Sequence, residues 1–189
     1  MATATLSPPM TTKELLALPA DGMDRWLIKG KLREKPRVLH NRHHSKLMAS
    51  LGACLKNWRD SQPEPRGAIL GGEAGIRLTR DPDTTVGVDV AYISPEVLAQ
   101  QTDETTLIDG VPLLAVEILS PSDTVNEIHE KINSYLSAGV KLVWIIDPYA
   151  RTATIYQPNA RPSLVNEGQE LHGDDVLPGF HVLLVELFR

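Results

Sequence analysis

Pro112-Leu-Leu-Ala-Val-Glu117-Ile-Leu-Ser-Pro-Ser-Asp123, then a helical run, then Val140-Lys-Leu-Val-Trp-Ile-Ile-Asp147-Pro148, is the part of the chain that decides the fold. Leu113 to Leu119 is a continuous apolar run of strand length, bounded by Pro112 and Pro121 and interrupted only by Glu117. A short apolar run between prolines suits a buried strand. After it, Val125, Ile128, Ile132, Tyr135 and Leu136 recur at helical spacing, with Ser122 as the expected N-cap and Gly139 as the stop. Leu142 to Ile146 is a second apolar strand. The unit is a strand–helix–strand crossover of the parallel type. A carboxylate inside the first strand cannot remain charged and unpaired, because burying such a group is costly. Glu117 must be paired, protonated or bound to a cation.

Working outward, residues 1–10 are expected to be disordered and residues 11–189 to form a single domain. Thr11 or Thr12 can cap a short helix that Pro19 ends. Trp26 to Arg33 reads as two short strands turning near Gly30, and Val38-Leu39 as a possible extension of them. From Asn41, the residues Leu47, Met48, Leu51, Leu55 and Trp58 predict an amphipathic helix ending near Asp60, with His43 and His44 in its first turn. Ala68–Leu78 and Val86–Ser94 read as a hairpin turning through Asp81-Pro82-Asp83, with Glu73 just before its first strand. Ala153–Tyr156 and the tail supply further strands. The order predicts an α/β fold, a mixed β-sheet flanked by α-helices.

A chain of 189 residues with 42% hydrophobic and 23% charged residues is long enough to bury one core. It carries no apolar run of membrane-spanning length. The N-terminus lacks the basic start and apolar centre of a signal peptide. The single cysteine, Cys54, excludes an internal disulfide and a thiolate metal cluster. A cytoplasmic location is expected, with no membrane partner. The net charge of -5 is unevenly spread: residues 1–66 carry 12 Lys/Arg against 6 Asp/Glu, and residues 67–189 carry 7 against 18. Such an asymmetry fits a basic docking surface beside an acidic half, and equally a solvated basic face with no partner.

Asp89, in Val-Gly-Val-Asp-Val-Ala-Tyr-Ile, is a second carboxylate inside an apolar strand. Were adjacent strands to bring Asp89 and Glu117 together, their like charges would repel unless a cation or proton intervened. Hard oxygen ligands suit Mg²⁺ or Mn²⁺ with waters and substrate phosphate. Lys131, at the border of the helical stripe, can reach past the core towards the acidic strand end. No Walker loop, dinucleotide fingerprint or nucleophile elbow is present.

These stretches together, Asp89-Val-Ala-Tyr-Ile, Leu-Ala-Val-Glu117-Ile-Leu-Ser-Pro-Ser-Asp, Lys131-xxx-Tyr135-xxx-Gly139 and Val-Trp144-Ile-Ile-Asp147-Pro148, resemble the Uma-two family. These are restriction-endonuclease-like proteins of the PD-(D/E)XK nuclease superfamily, and the resemblance covers about residues 13 to 185. It implies a restriction-endonuclease-like sheet and an Mg²⁺- or Mn²⁺-dependent endonuclease. Asp89 and Glu117 would be the metal-binding acids, and Lys131 the catalytic lysine moved from the strand onto the following helix. Leu119 stands where the superfamily's usual lysine would be, Val88 where a proline usually precedes the first acid, and Trp26 where an acid is usual. Glu73 is a candidate replacement ligand, and His44 (or His43) matches the family's helix-start histidine as a possible accessory. Tyr135 and Trp144 read as packing.

The resulting expectation is a DNA endonuclease acting as a homodimer, with Lys31, Arg33, Arg42 and Lys46 on the phosphate backbone. A degenerate nuclease fold that binds nucleic acid or protein without catalysis is the alternative. A hydrolase of a smaller phosphorylated substrate is the third.

Overall fold

The computed structural model of the chain describes residues 8–39, 41–103 and 106–189. Thr11 caps α1 (Thr12–Leu16) and closes a reciprocal capping box with Glu14, which satisfies donors that a helix start leaves orphaned. β1 (Met23–Ile28) and β2 (Lys31–Pro36) pair antiparallel. They turn through Lys29 and Gly30, both at positive φ, as a two-residue hairpin requires. Gly30 is also needed for close approach, since a Cβ there would lie 2.4 Å from that of Pro9. Met10 N–H donates to the Gly30 carbonyl at 2.8 Å, so the end of the stretch expected to be disordered is tied to this turn. Residues 1–7 lie outside the described residues. Val38 and Leu39 do not extend β2, and Leu39 is 97% exposed.

The long helix α2 (Arg42–Ser61) begins where Asn41 accepts hydrogen bonds from the His43 and His44 N–H groups. Leu47, Leu51, Leu55 and Trp58 form its buried stripe, each side chain contributing about 2 kcal/mol of apolar burial. β3 (Ala68–Thr79) and β4 (Thr84–Ile93) form the long hairpin, followed by the short α3 (Pro95–Leu98) and β5 (Ile108–Asp109). β6 (Leu114–Ile118), α4 (Val125–Ala138) and β7 (Leu142–Asp147) are the expected crossover, and β6 and β7 are parallel. β8 (Thr152–Tyr156), β9 (Ser163–Asn166), β10 (Glu170–Gly173), β11 (Leu177–Leu183) and α5 (Leu184–Leu187) complete the chain.

The main sheet runs β2-β1-β4-β6-β7-β8-β9, with β3 on β4 and β5 on β3, while β10 and β11 form a separate pair. One face carries α2, β10–β11 and α5 over Val90, Val116 and Trp144. The other carries α4 over Val88, Ala115, Val143 and Ile145. The fold is the expected mixed α/β sheet flanked by helices.

Two details of α4 depart from expectation. Its N-cap is Thr124, not Ser122, because Thr124 forms a capping box with Glu127 while Ser120 N–H is taken by Asp123. Val125 therefore falls in the first turn, outside the buried stripe, and is 71% exposed. Gly139 ends the helix at φ 104, a left-handed position that glycine adopts without a Cβ penalty.

Candidate active site

β4 and β6 pair antiparallel with Val90 opposite Val116, so the next step of the register sets Asp89 opposite Glu117. On the other side of β4, β3 pairs Gly71 with Val90 and Ala74 with Val88, leaving Gly72 and Glu73 as a bulge beside Asp89. Both bulge residues have positive φ. Glu73 thus lies inside β3 at an irregularity, not before the strand as expected, and the Gly71-Gly72 pair was its sequence signal. The face pattern of β4 changes at the same place. Val86 and Val88 pack on the α4 side, whereas Val90 and Tyr92 pack on the α2 side.

Asp89 is 2% exposed. Its Oδ2 accepts the Ile118 N–H at 2.7 Å and lies 3.2 Å from His44 Nε2. Its Oδ1 is buried and has no hydrogen-bond partner among the described residues. Burial alone would lower the His44 pKa. The hydrogen bond and charge of Asp89 outweigh that and hold it above its ordinary value, which favours a proton on the imidazole facing the carboxylate. The expected accessory histidine therefore reaches the first acid from the α2 side.

Glu117 is 5% exposed and is held from the α4 side. Lys131 Nζ donates to Oε2 at 2.7 Å and to the Gly87 carbonyl at 3.2 Å. Tyr135 OH, one helical turn on, donates to Oε1. Burial pushes the Glu117 carboxyl up to about 7; Lys131 opposes the rise and Asp89 adds to it. For Lys131, burial favours the neutral amine, but the charges of Glu117 and Glu73 prevail and hold it protonated. Burial raises the Tyr135 hydroxyl pKa well above its usual value, so it remains a donor. Tyr135 was read as packing. It is packing, but it also touches an acid of the site, a contact that spacing alone does not reveal.

His44, Asp89, Glu117 and Lys131 line a cleft of about 630 Å³ that also takes in Trp26, Lys35, Leu107 and Ile128. Glu73 lines its rim, and a Cβ on Gly87 would lie 2.5 Å from Glu73 Oε2, so the missing side chain makes room for that carboxylate. Among the described residues no group of three or more His, Cys, Asp or Glu side chains is gathered closely enough to hold a metal ion. The acids come as a pair. Mg²⁺ is commonly bound through one or two carboxylates, with waters and substrate phosphate completing the shell. The pair and the partnerless Asp89 oxygen fit that demand.

The basic residues divide. Arg33 makes a bidentate pair with Glu130, at 3.0 Å and 2.6 Å. Lys35 pairs with Asp123, Arg37 with Asp24, and Arg25 with Asp21 and Glu34. Lys31, Arg42 and Lys46 are exposed. Arg42 and Lys46 have no carboxylate partner among the described residues; they stand on the first turns of α2.

A mixed sheet flanked by helices, with two acids at neighbouring strands and a lysine from the following helix, defines a nuclease-like fold of the restriction-endonuclease type. A crystal structure described as a putative nuclease of DUF820 from Anabaena variabilis is similar to this chain, with TM-score 0.77 at 20% identity over 95% of this chain and 98% of that one. That likeness shows a shared fold. The model of the Uma2 family, described as "putative restriction endonuclease", matches residues 12–186, and the chain belongs to this family. At the family level it is a nuclease. No curated protein matches.

Proposed function

We propose that this protein is a divalent-metal-dependent endonuclease that hydrolyses phosphodiester bonds in DNA. The observation that carries the reading is the buried Oδ1 of Asp89, without a hydrogen-bond partner among the described residues and in register with Glu117. In this reading Asp89 and Glu117 hold Mg²⁺ or Mn²⁺, with Glu73 as an accessory ligand from the rim. The ion, when bound, supplies charge to a phosphoryl oxygen and lowers the pKa of a coordinated water. Asp89 is kept in place through Oδ2 by Ile118 and His44, which leaves Oδ1 for a ligand. Lys131, protonated and beside the cleft, orients the attacking water or stabilises charge developing on the phosphate. Lys31, Arg42 and Lys46 follow the phosphate backbone, whereas Arg33, expected among them, is held by Glu130; two copies of the chain acting in the cytoplasm would cut both strands.

One observation favours a second reading, a binding module without catalysis: both Glu117 oxygens are already engaged inside the protein. Calorimetry with Mn²⁺ on wild type and Glu117→Ala separates the two, followed by cleavage of supercoiled plasmid. The enzyme reading expects binding in the wild type that is lost in Glu117→Ala, together with nicking that depends on the metal. No heat and no nicking from wild type at millimolar Mn²⁺ with DNA present would leave the binding module.

A further inference from the structure

The two donors that α4 sets on Glu117 differ in what they are able to do next. Tyr135 is fully buried, its ring packed in the core layer of Ile132, Val140 and Val143, and it does not line the cleft. Its hydroxyl can donate only where the packed ring places it. Lys131 lines the cleft, is partly exposed, and holds Glu117 Oε2 from the end of a flexible stem. One donor is fixed and the other is free to leave.

We infer that Tyr135 is a positioning residue: it anchors Glu117 through Oε1, so that Lys131 can release Oε2 and turn to substrate without the carboxylate following it. This rests on the metal-dependent reading of the site. Asp89 has the same plan, since Oδ2 is held by Ile118 and His44 while Oδ1 is left. Each acid keeps one anchored oxygen and one oxygen for exchange. With Tyr135 as its only fixed partner among the described residues, Glu117 would lose its orientation if the hydroxyl were removed. Such hydrogen bonds behind a metal ligand typically contribute 10–100-fold in metal affinity.

The test is Mn²⁺ calorimetry on metal-free wild type and Tyr135→Phe, with far-UV circular dichroism to establish that the variant is folded. The expected result is a Kd about 10- to 100-fold weaker in Tyr135→Phe. At low Mn²⁺, plasmid nicking should fall in kcat with the KM for DNA unchanged, and saturating Mn²⁺ should restore it. A residue that only packs would give none of this metal rescue. An independent, metal-free readout is a urea-unfolding cycle of Tyr135→Phe, Glu117→Gln and the double variant, in which the two changes should be non-additive. A folded Tyr135→Phe that binds Mn²⁺ like wild type overturns the inference alone. Wild type that binds no Mn²⁺ removes the metal reading itself, and the positioning role with it. A folded Tyr135→Phe whose cycle with Glu117→Gln is additive also overturns it.

Discussion

Glu130 and Lys131 are neighbours on α4, and each makes an ion pair with the sheet. Lys131 meets Glu117 at 2.7 Å and Glu130 meets Arg33 at 2.6 Å. The distances are nearly the same, yet the two pairs sit in different media. Glu117 is buried, whereas Arg33 and Glu130 are each about one-third exposed on the outer side of β2. In water-facing surroundings the attraction of such a pair is largely cancelled by screening and side-chain entropy. In the interior, removing one partner leaves a charge with nowhere to be solvated. One residue step along a helix separates a charge that the fold depends on from a charge that mostly decorates it.

That contrast can be broken by deletion. Lys131→Ala should destabilise the metal-free protein by about 3 kcal/mol in urea unfolding, since Glu117 is left buried without its counter-charge and must take up a proton. Arg33→Ala should cost less than about 1 kcal/mol by the same measurement. Equal costs would mean that water reaches Glu117 as readily as it reaches Glu130.

Acidity sharpens the same point. The Glu117 carboxyl is raised from 4.5 to about 7 in the folded chain. The folded state therefore holds a proton that the unfolded state has lost across that interval. By linkage, metal-free stability falls as pH rises from about 4.5 to 7, by up to about 3 kcal/mol. Unfolding free energies measured across this range should show the slope for wild type and lose most of it in Glu117→Gln. The Arg33–Glu130 pair works the other way: Arg33 holds the Glu130 carboxyl below its usual value, so its small contribution is present above about 4.5 and fades as acid protonates it. A wild-type slope of the opposite sign would place Glu117 among such surface carboxylates.

Much of the buried side of this contrast was legible in the sequence, because burial writes itself into composition. A lone glutamate in an apolar strand, followed by a helical stripe and a second strand, has few three-dimensional solutions. The pairing of Asp89 with Glu117 remained conditional on the two strands being neighbours, and it was the resemblance to the Uma-two family that joined the two acids and Lys131 into one site. What was not legible depends on contacts between distant elements or on competing local caps. His44 touches Asp89 across 45 positions of sequence, and the Tyr135 hydroxyl finds Glu117 only because β6 lies beneath α4. Ser122 and Thr124 are equally good caps by type. The choice fell to Thr124 because Glu127 stands at the right spacing and Asp123 engages Ser120. The pairing of β2 with α4 left no trace, since exposed Arg, Lys and Glu are compatible with any partner.

This last blind spot bears on nucleic-acid binding. The basic N-terminal third of the chain suggested a phosphate-following surface, but Arg33 and Lys35 are held by Glu130 and Asp123, while Arg42 and Lys46 stand without a carboxylate partner among the described residues. A cation already neutralised releases few counterions when a phosphate arrives, because it must first give up its carboxylate. Arg42→Ala and Lys46→Ala should each reduce the slope of log K against log salt for duplex DNA by about 1, as measured by fluorescence anisotropy in Ca²⁺. Arg33→Ala should leave that slope nearly unchanged. A loss of slope in Arg33→Ala equal to that in Lys46→Ala would mean that phosphate displaces Glu130. The exposed pair would then be a latch that substrate opens, as the Lys131–Glu117 pair beside it on α4 is proposed to be.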